Sequence, residues 1–402
     1  MAPTKSPQFL YYITHIDNLG SMLEKGILSH AEMESRGIPF TAIYDAEIVS
    51  NRKARQTPDG RSLWDYANVY FQARNAMLFR VTREKGVDEI CIIGVRKDVL
   101  NRPDVLIANG NAASYQSEIA RHDEGIKAVP QIMRNVDKEW WSDSDGSKRE
   151  MMAECLIPSA ISPDLITAIY VGSDAALRRA QAVTPSRVPV TREPHLFFKP
   201  GRTIELTPLL TLGDGDLFFS GMQTLTVSVN TVGVMGKGLA STAKWRFPDV
   251  YVRYQDLCRR KVLRMGRPVV VKREKSLDEE LADDPRTMAN GNHETWFLLF
   301  ATKDHWRNNA NLLGIESGLK WLRANYKSEG IQSLALPALG CGLGNLSWGD
   351  VGPLMCSYLA GTDLRTWISL PSRPEPPPEQ LTPQFLLTSI VPTTGKQAAL
   401  EL

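Results

Sequence analysis

The stretch "VNTVGVMGKGLA" at residues 229–240 places three glycines and a lysine directly after β-branched residues. This order predicts a buried strand, then a tight loop, then the start of a helix. Backbone N–H groups in such a loop can face an anion, and the dipole of the next helix adds to the attraction. The same residues also suit a plain turn between a strand and a helix, so this stretch alone leaves both interpretations open.

A second glycine-rich stretch, "LALPALGCGLGNLSW" at residues 334–348, has the same context. Leu334–Leu336 predicts a core strand, and Gly340, Gly342 and Gly344 follow it. Neither stretch has the glycine spacing of a Walker A loop or of the Rossmann fingerprint. Two loops of this kind, each after a core strand, predict a diphosphate that is held from both sides.

Strand-like and helix-like segments alternate around these loops, from about residue 205 to residue 370. This alternation predicts a three-layer α/β domain. Upstream, "SRVPVTREPHLFFKPGRT" at residues 186–203 is rich in proline and arginine, which predicts a domain boundary near residue 200. We therefore expect a first domain at residues 1–200, a second at 204–371 and a loosely held, Pro-rich C-terminal tail at 372–402.

The bulk composition supports two globular domains and excludes several classes of protein. At roughly 100–200 residues per domain, a chain of 402 residues suggests two domains. The net charge of +2 creates no general attraction to nucleic acid, so any such site must be a local basic patch. Five scattered cysteines argue against a disulfide framework or a zinc site and fit a reducing cytosol. No signal sequence or long apolar run is apparent, so we expect a cytoplasmic protein without a membrane partner.

One carboxylate stands out in the first half of the chain. Glu154 lies within "REMMAECLIP" (149–158), which predicts a buried strand. A carboxylate in an apolar strand is costly unless it is paired or used in chemistry. A salt bridge to an arginine such as Arg149 and a catalytic role therefore both stay open. Nearby, residues 69–82 predict a strand and residues 115–136 a helix.

Together with "GDGDLFF" (213–219), the two glycine loops resemble those of a macrodomain, the ADP-ribose-binding fold. The resemblance is greatest to DarG-type antitoxins, which remove ADP-ribose from DNA. It implies that Asp216 binds the adenine amino group and that Asn230 contacts the distal ribose. It also implies that the loops hold the diphosphate, through Gly233, Val234, Met235, Gly236, Gly340, Cys341, Gly342, Leu343 and Gly344.

The stretch "FATKDHWRNN" (300–309) adds a candidate catalytic residue to this resemblance. In DarG-like hydrolases a lysine at this position attacks the anomeric carbon, and Lys303 matches it. A nucleophilic lysine must be partly neutral, which burial or a cationic neighbour favours. From the residue alone, Lys303 could equally be a surface lysine beyond a strand end. Val227 stands where the family usually has asparagine, which predicts weaker recognition of the ribose.

In the first half, "YYITHIDNL" (11–19), "VSNRKAR" (49–55), "YFQARNAML" (70–78) and "REMMAECLIP" together resemble DarT, the DNA ADP-ribosyltransferase toxin. The resemblance implies an α+β ADP-ribosyltransferase fold in which NAD binds in a cleft between two sheets. Glu154 would hydrogen-bond the 2′-OH of the nicotinamide ribose, and Arg52, with Arg55 as the fallback, would position NAD and the target base. The implied NAD-binding residues are Tyr12, Thr14, His15, Asn18, Tyr70, Arg74 and Met77.

This chain differs from the DarT pattern at two positions. Tyr12 replaces the first histidine of the opening motif, and Met152 replaces a glutamine two residues before the glutamate. In related transferases the second position helps to choose the acceptor. The acceptor base therefore stays open between thymine and guanine.

Local basic and aromatic residues make contact with DNA plausible. Basic residues cluster between Arg52 and Arg61, and Trp140, Trp141, Lys148 and Arg149 lie in the stretch before the catalytic strand. Basic side chains can hold phosphates while aromatic rings stack on unpaired bases. The alternative is a solvated charged face with two tryptophans in the core.

Together these features predict a natural toxin–antitoxin fusion that uses NAD as substrate and requires no metal. The α+β transferase fold would modify a base in single-stranded DNA, and the three-layer α/β/α macrodomain would bind and hydrolyse the DNA-linked ADP-ribose. Contact between the two domains is a further expectation. A non-catalytic protein that binds ADP-ribose and nucleic acid, and a transferase acting on RNA or protein, stay open as alternatives.

Overall fold

The computed structural model describes residues 7–44, 46–288 and 294–388, with the backbone alone at residues 46–49, 287 and 388. The strands, in chain order, are β1 (Phe9–His15), β2 (Ile27–Leu28), β3 (Tyr66–Tyr70), β4 (Ile90–Arg96), β5 (Leu106–Ala108), β6 (Ile119–Arg121), β7 (Glu154–Pro158), β8 (Ala160–Ile161), β9 (Ile166–Val171), β10 (Val190–Arg192), β11 (Thr203–Thr207), β12 (Leu210–Gly213), β13 (Thr224–Asn230), β14 (Val269–Val271), β15 (Trp296–Lys303), β16 (Ser333–Pro337) and β17 (Arg365–Ser369).

The α-helices are α1 (Leu19–Lys25), α2 (His30–Ser35), α3 (Ala46–Ala54), α4 (Ala76–Lys85), α5 (His122–Val136), α6 (Ser147–Glu150), α7 (Asp174–Val183), α8 (Gly238–Arg246), α9 (Pro248–Arg259), α10 (Leu277–Leu281), α11 (Leu312–Glu329), α12 (Trp348–Leu359) and α13 (Pro383–Thr388). Among the described residues, no helix is both long and apolar enough to cross a membrane.

The chain divides into two compact units. The first unit comprises Met1–Lys199 together with Leu277–His293, and the second comprises Pro200–Ser276 together with Glu294–Leu402. The chain thus leaves the second unit after Ser276, contributes a segment to the first unit, and returns at Glu294. The sequence interpretation treated each domain as one continuous stretch and did not anticipate this return.

The first unit is built on a sheet of eight strands in the order β10-β9-β4-β1-β3-β7-β5-β6. β1 pairs with β4 along its full length, from Phe9 to His15. In contrast, β1 pairs with β3 only through Tyr11 and Tyr70. The ladder is therefore nearly interrupted at its centre, so the two halves of the sheet can diverge beyond this one pair.

Two local structures in the first unit differ from the sequence prediction. Residues 69–82 do not form one strand, because β3 ends at Tyr70 and α4 begins at Ala76. The side chain of Asn75 accepts the Leu78 N–H at 3.0 Å and so caps this helix, whose Leu78 and Phe79 are fully buried. The helix predicted from residue 115 begins only at His122, since β6 occupies the three residues before it.

The second unit has a seven-stranded sheet in the order β11-β12-β17-β16-β13-β15-β14. The five central strands are parallel, and β11 and β14 pair antiparallel at the edges. Leu298 and Phe300 of β15 belong to a core cluster shared with α11 and α12. Phe297, whose side chain points to the opposite face of the sheet, has its ring centroid 4.6 Å from that of Phe247, the residue between α8 and α9. Helices therefore cover both faces, as expected for three layers.

The Pro-rich C-terminal segment is in part packed against this core. Leu381 and Leu386 are 6% and 1% exposed and belong to the same cluster as α11 and α12. The segment is therefore held through Leu386, and the rest of the predicted tail, from residue 389 onward, lies outside the described residues.

Candidate active sites

A cavity of about 450 Å³ lies in the first unit, where β1 and β3 diverge. Six of the residues predicted to bind NAD or act in catalysis line it together. They are Tyr12 and Thr14 of β1, Asn18 in the turn after β1, Tyr70 of β3, Met77 of α4 and Arg52 of α3. The structure thus brings together three separate sequence stretches, at residues 11–19, 49–55 and 70–78.

Two predicted NAD-binding residues lie elsewhere. His15 accepts the Asp17 N–H at Nδ1 (3.2 Å), and its Nε2 lies 3.3 Å from Glu89. Arg74 donates to the carbonyl oxygens of His195 and Glu139, both at 3.2 Å. Neither belongs to the cavity lining among the described residues. Their predicted contact with NAD gains no support from this geometry.

Glu154 is the first residue of β7 and is 0% exposed. Its Oε2 accepts from Nη2 of Arg52 at 3.2 Å, and its Oε1 accepts from the backbone N–H of Ala112 at 3.0 Å. The alternative pairing with Arg149 is wrong, because that guanidinium donates to Asn109 and Ser117. Arg52 and Tyr70 line the cavity while the carboxylate is buried directly against them.

The charges around this carboxylate follow from burial and pairing. Burial is the largest single influence and would lower the pKa of Arg52, but Glu154, Tyr70 and Tyr12 together reverse this, so the pKa is raised. Burial raises the pKa of Tyr12 to about 12, with Arg52 opposing it. Burial, and then the charge of Glu154, raise the pKa of Tyr70. The ion pair of Arg52 and Glu154 is therefore flanked by two neutral phenols, those of Tyr12 and Tyr70.

Two of the four residues predicted to contact DNA before β7, Trp141 and Lys148, are buried. Trp141 is 1% exposed and its indole N–H donates to the Leu281 carbonyl at 2.8 Å. The Lys148 ammonium is buried between Asp143 and the Ala282 carbonyl. These two side chains are therefore structural and cannot stack on bases or hold phosphates.

A residue that the sequence interpretation missed offers a better surface for a base. Tyr115 is 78% exposed, in the loop between β5 and β6, and the guanidinium of Arg55 lies 4.6 Å from its ring centroid. The same loop supplies the Ala112 N–H to Glu154 and lines the cavity through Ala113 and Ser114. The only sequence signal was an aromatic residue within a polar loop, which was too weak to single out.

In the second unit, the carboxyl ends of parallel strands bring the glycine loops together. Asn230 at the end of β13 is in register with Lys303 at the end of β15. The ammonium of Lys303 donates to the Leu343 carbonyl at 2.9 Å, which links it to the second loop. Burial lowers the pKa of Lys303 below its ordinary value. Lys303 is thus a half-buried lysine at the end of β15, linked to the second glycine loop.

The glycines give these loops their shape. Gly233 and Gly340 have φ of +82° and +78°, which side-chain-bearing residues rarely adopt. A Cβ on Gly344 would come within 2.5 Å of the Gly340 carbonyl oxygen, whereas a Cβ on Gly342 would meet nothing within 4 Å. The second loop is therefore packed on itself at Gly344 and open at Gly342. No such restriction applies to Gly236, whose added Cβ would touch only Val234, at 3.9 Å.

Other predicted ADP-ribose residues are divided between the loop surface and its support. Val234 and Leu343 are 42% and 61% exposed, whereas Met235 and Cys341 are buried. Asn230 donates to the Val234 carbonyl (2.6 Å) and accepts the Val232 N–H (3.0 Å), so it braces the first loop. These contacts make Asn230 a support for the loop in this structure.

Asp216 and Val227 complete the predicted set. Asp216 caps the turn that follows it by accepting the Phe218 N–H at 3.0 Å, and it pairs with Arg246. Val227 is 0% exposed and pairs with Leu299 inside the sheet. Because this side chain is enclosed by the core, its predicted effect on ribose recognition gains no support from the structure.

The first unit has a mixed sheet whose strands β1 and β3 diverge beside a buried Arg–Glu pair. The second unit is a three-layer α/β unit with two glycine loops. Together they define an ADP-ribosyltransferase joined to a macrodomain. The family model described as "ssDNA thymidine ADP-ribosyltransferase, DarT" matches residues 11–198. The chain is 52% identical over 387 residues to the DNA ADP-ribosyl transferase-DNA ADP-ribosyl glycohydrolase fusion protein of Thermosipho africanus, covering 95% of this chain and 100% of that protein. This chain therefore belongs to the family of DarT–DarG fusion proteins.

Two further comparisons agree with this membership. The solved structure of Thermosipho africanus DarTG in complex with ADP-ribose superimposes with a TM-score of 0.87 at 51% identity, covering 94% of this chain and 100% of that one. The DNA ADP-ribosyl glycohydrolase of Mycobacterium tuberculosis is 36% identical over 143 residues, which is 36% of each chain. The two resemblances seen in the sequence, and the fold class they implied, are confirmed.

Proposed function

We propose that this chain is a natural toxin–antitoxin fusion: the first unit transfers ADP-ribose from NAD to a base of single-stranded DNA, and the second unit binds and hydrolyses that adduct. The observation that carries the proposal is the Arg52–Glu154 pair in the wall of a cavity lined by Tyr12, Thr14 and Tyr70. The Thermosipho africanus relative is named for the same two activities.

In the proposed transfer, NAD lies in this cavity with its nicotinamide ribose toward Glu154. The bond between the ribose C1′ and the nicotinamide nitrogen breaks, and its electron pair leaves with nicotinamide. Positive charge then develops on the ribose, and Glu154, hydrogen-bonded to the 2′-OH, stabilises it. A nitrogen of the target base forms the new bond to C1′ and releases its proton. Arg52 positions the carboxylate through their 3.2 Å contact.

The proposed hydrolysis of the adduct uses Lys303. Its neutral Nζ attacks the anomeric carbon of the DNA-linked ribose, and the base leaves with the electron pair and takes up a proton. Water then releases ADP-ribose and restores the lysine. The pKa of Lys303, lowered by burial, favours the neutral amine that this attack requires. The loops at Gly233–Gly236 and Gly340–Gly344 hold the diphosphate in this scheme.

The acceptor is proposed to be a base in single-stranded DNA. A base modified at its pairing edge must be unstacked, and the exposed Tyr115 under the Arg55 guanidinium suits an unpaired base. The matching family model is described for thymidine in single-stranded DNA, so thymine is the first base to test and guanine the second.

This proposal is tested by offering NAD with single-stranded DNA, matched RNA, duplex DNA and a protein mixture to the Lys303→Ala chain, which should not remove the product. Oligonucleotides that differ only in replacing every thymine, or every guanine, assign the acceptor base by mass spectrometry. A mass gain confined to single-stranded DNA is expected. A gain on RNA or on protein, with none on DNA, would contradict the assignment.

A further inference from the structure

A segment from the second half of the sequence belongs to the first unit and makes buried contacts there. We call residues 277–286 the strap. Leu281 and Ala282 are fully buried, and their carbonyl oxygens accept from Trp141 (2.8 Å) and Lys148 (3.0 Å). Trp141 and Lys148, for which DNA contact was one of two interpretations of the sequence, thus hold the strap.

The end of the strap lies at the proposed NAD cavity. Asp283, Asp284, Pro285 and Arg286 line the cavity together with the residues of β1 and β3. Asp283 anchors this end, because its Oδ1 accepts from Nε of Arg80 at 2.6 Å and that arginine is 1% exposed. The anchor lies on α4, which also carries the cavity residue Met77. A part of the cavity wall therefore comes from beyond residue 276.

We propose that the strap is a part of the NAD site and that Arg286 binds the diphosphate of NAD. The inference rests on the proposed transferase activity. Three arginines line the cavity, and they differ in accessibility: the side chains of Arg52 and Arg80 are 11% and 1% exposed, and that of Arg286 is 68% exposed. Each of the three is paired with a carboxylate: Arg52 with Glu154, Arg80 with Asp283 and Arg286 with Asp284.

A diphosphate requires cationic donors that can reach it, and the planar fork of arginine matches phosphate oxygens. Arg286 meets this need because it is the most exposed of the three. Asp284, two residues earlier, accepts from its Nε and Nη2, both at 3.0 Å, and so acts as a positioning residue that keeps the guanidinium at the cavity. This assignment makes the NAD site composite, built from both halves of the sequence.

The parent in this experiment is the full chain carrying Lys303→Ala, so that the product is not removed. Arg286→Ala and Arg286→Lys are each made in this parent and compared with it. Arg102→Ala is the matched control, since Arg102 makes the same two-point contact with an aspartate two residues away but is not a lining residue of the cavity. The KM for NAD at saturating oligonucleotide, and the KM for oligonucleotide at saturating NAD, are measured separately. Thermal unfolding checks that each variant is folded.

Arg286→Ala is expected to raise the KM for NAD about tenfold or more, the usual size for losing a charge-assisted contact. The KM for oligonucleotide should change less than about twofold, Arg286→Lys should recover part of the NAD effect, and Arg102→Ala should match the parent. An unchanged KM for NAD would overturn the proposal. If Arg286→Ala raised only the KM for oligonucleotide, Arg286 would bind the DNA backbone and not NAD. If Arg286→Ala transferred ADP-ribose faster than the parent, the strap would obstruct the site. Either result would contradict the proposal.

The failure of this inference is distinguishable from failure of the transferase assignment. If the parent chain modifies no oligonucleotide, the transferase assignment fails, whereas NAD binding can still be titrated calorimetrically for the parent and Arg286→Ala. Equal affinities in that titration would reject the role of Arg286 on their own.

Discussion

Arg52 and Glu154 form a buried ion pair, with 3.2 Å between Nη2 and Oε2, and the second carboxylate oxygen accepts the Ala112 N–H. A buried charge is tolerated only when its partners are in place. The pair therefore joins α3, β7 and the loop before β6 around one carboxylate. In the proposed reaction it fixes the orientation of Glu154 before NAD binds.

Removing Arg52 should destabilise the first unit as well as stop transfer. Arg52→Ala leaves the carboxylate without its cation, and losing one partner of a buried pair costs about 3–5 kcal/mol. Chemical unfolding followed by tryptophan fluorescence should show this loss, with partial recovery in Arg52→Lys. Arg55→Ala is the control, since its guanidinium contacts the exposed Tyr115 and the Ser117 carbonyl. Equal stability of Arg52→Ala and the parent would contradict the role of the pair.

Tyr115 should contribute to DNA binding and not to NAD binding. Base stacking on an aromatic side chain is worth about 1–3 kcal/mol, so Tyr115→Ala should raise the KM for oligonucleotide by about 5- to 100-fold. Tyr115→Phe keeps the ring and should behave like the parent. Steady-state assays with each substrate varied in turn make this separation. An equal rise in both KM values would instead indicate a disturbed loop, since its neighbours Ala113 and Ser114 line the cavity.

Hydrolysis should depend on the protonation of Lys303. Because burial lowers its pKa below the ordinary 10.5, the neutral amine accumulates at lower pH than in an exposed lysine. The single-turnover rate on ADP-ribosylated oligonucleotide should therefore rise with pH and level off below pH 10.5. Lys303→Arg, which stays charged, should be inactive over the whole range. A flat profile, or an active arginine variant, would exclude the lysine as nucleophile.

The second glycine loop allows a matched pair of substitutions. In Gly344→Ala the added Cβ meets the Gly340 carbonyl oxygen at 2.5 Å and the Ala310 side chain at 2.7 Å, so the loop must shift. We expect its affinity for ADP-ribose to fall at least about tenfold, as for other losses of backbone contacts to a charged group. Gly342→Ala meets nothing within 4 Å and should bind almost normally. Both affinities are measured by calorimetric titration. If Gly342→Ala bound ADP-ribose more weakly than Gly344→Ala, the prediction that this loop holds ADP-ribose would be wrong.

The sequence was informative where function depends on local pattern. The glycine loops and the strand that precedes each of them follow from short stretches, because strand and turn preferences act over a few residues. The partner of Glu154 did not follow. Arg149 is near in sequence, whereas Arg52 is 102 residues away and is brought close only by the packing of α3.

The strap was beyond sequence reasoning for the same reason. The stretch "KSLDEELADDPR" (275–286) has the composition of an acidic surface segment. Its buried contacts are with Trp141 and Lys148, at sequence separations of 140 and 134. The sequence therefore left Trp141 and Lys148 open between DNA contact and the alternative of a charged face with core tryptophans, since nothing local distinguishes a base-stacking tryptophan from one that anchors a distant backbone. Long-range pairing of this kind is set by tertiary contacts alone.

The most direct test of the account measures ADP-ribose on a single-stranded oligonucleotide after incubation with NAD and each of three full-length variants. Lys303→Ala should accumulate adduct, and the double variant Glu154→Gln/Lys303→Ala should form it at least about a hundredfold more slowly, as expected for losing a transition-state contact. Purified adduct should lose its ADP-ribose to Glu154→Gln, which retains Lys303, and not to the double variant. Adduct formed by the double variant at the rate of Lys303→Ala would contradict the central claim that Glu154 supports the transfer.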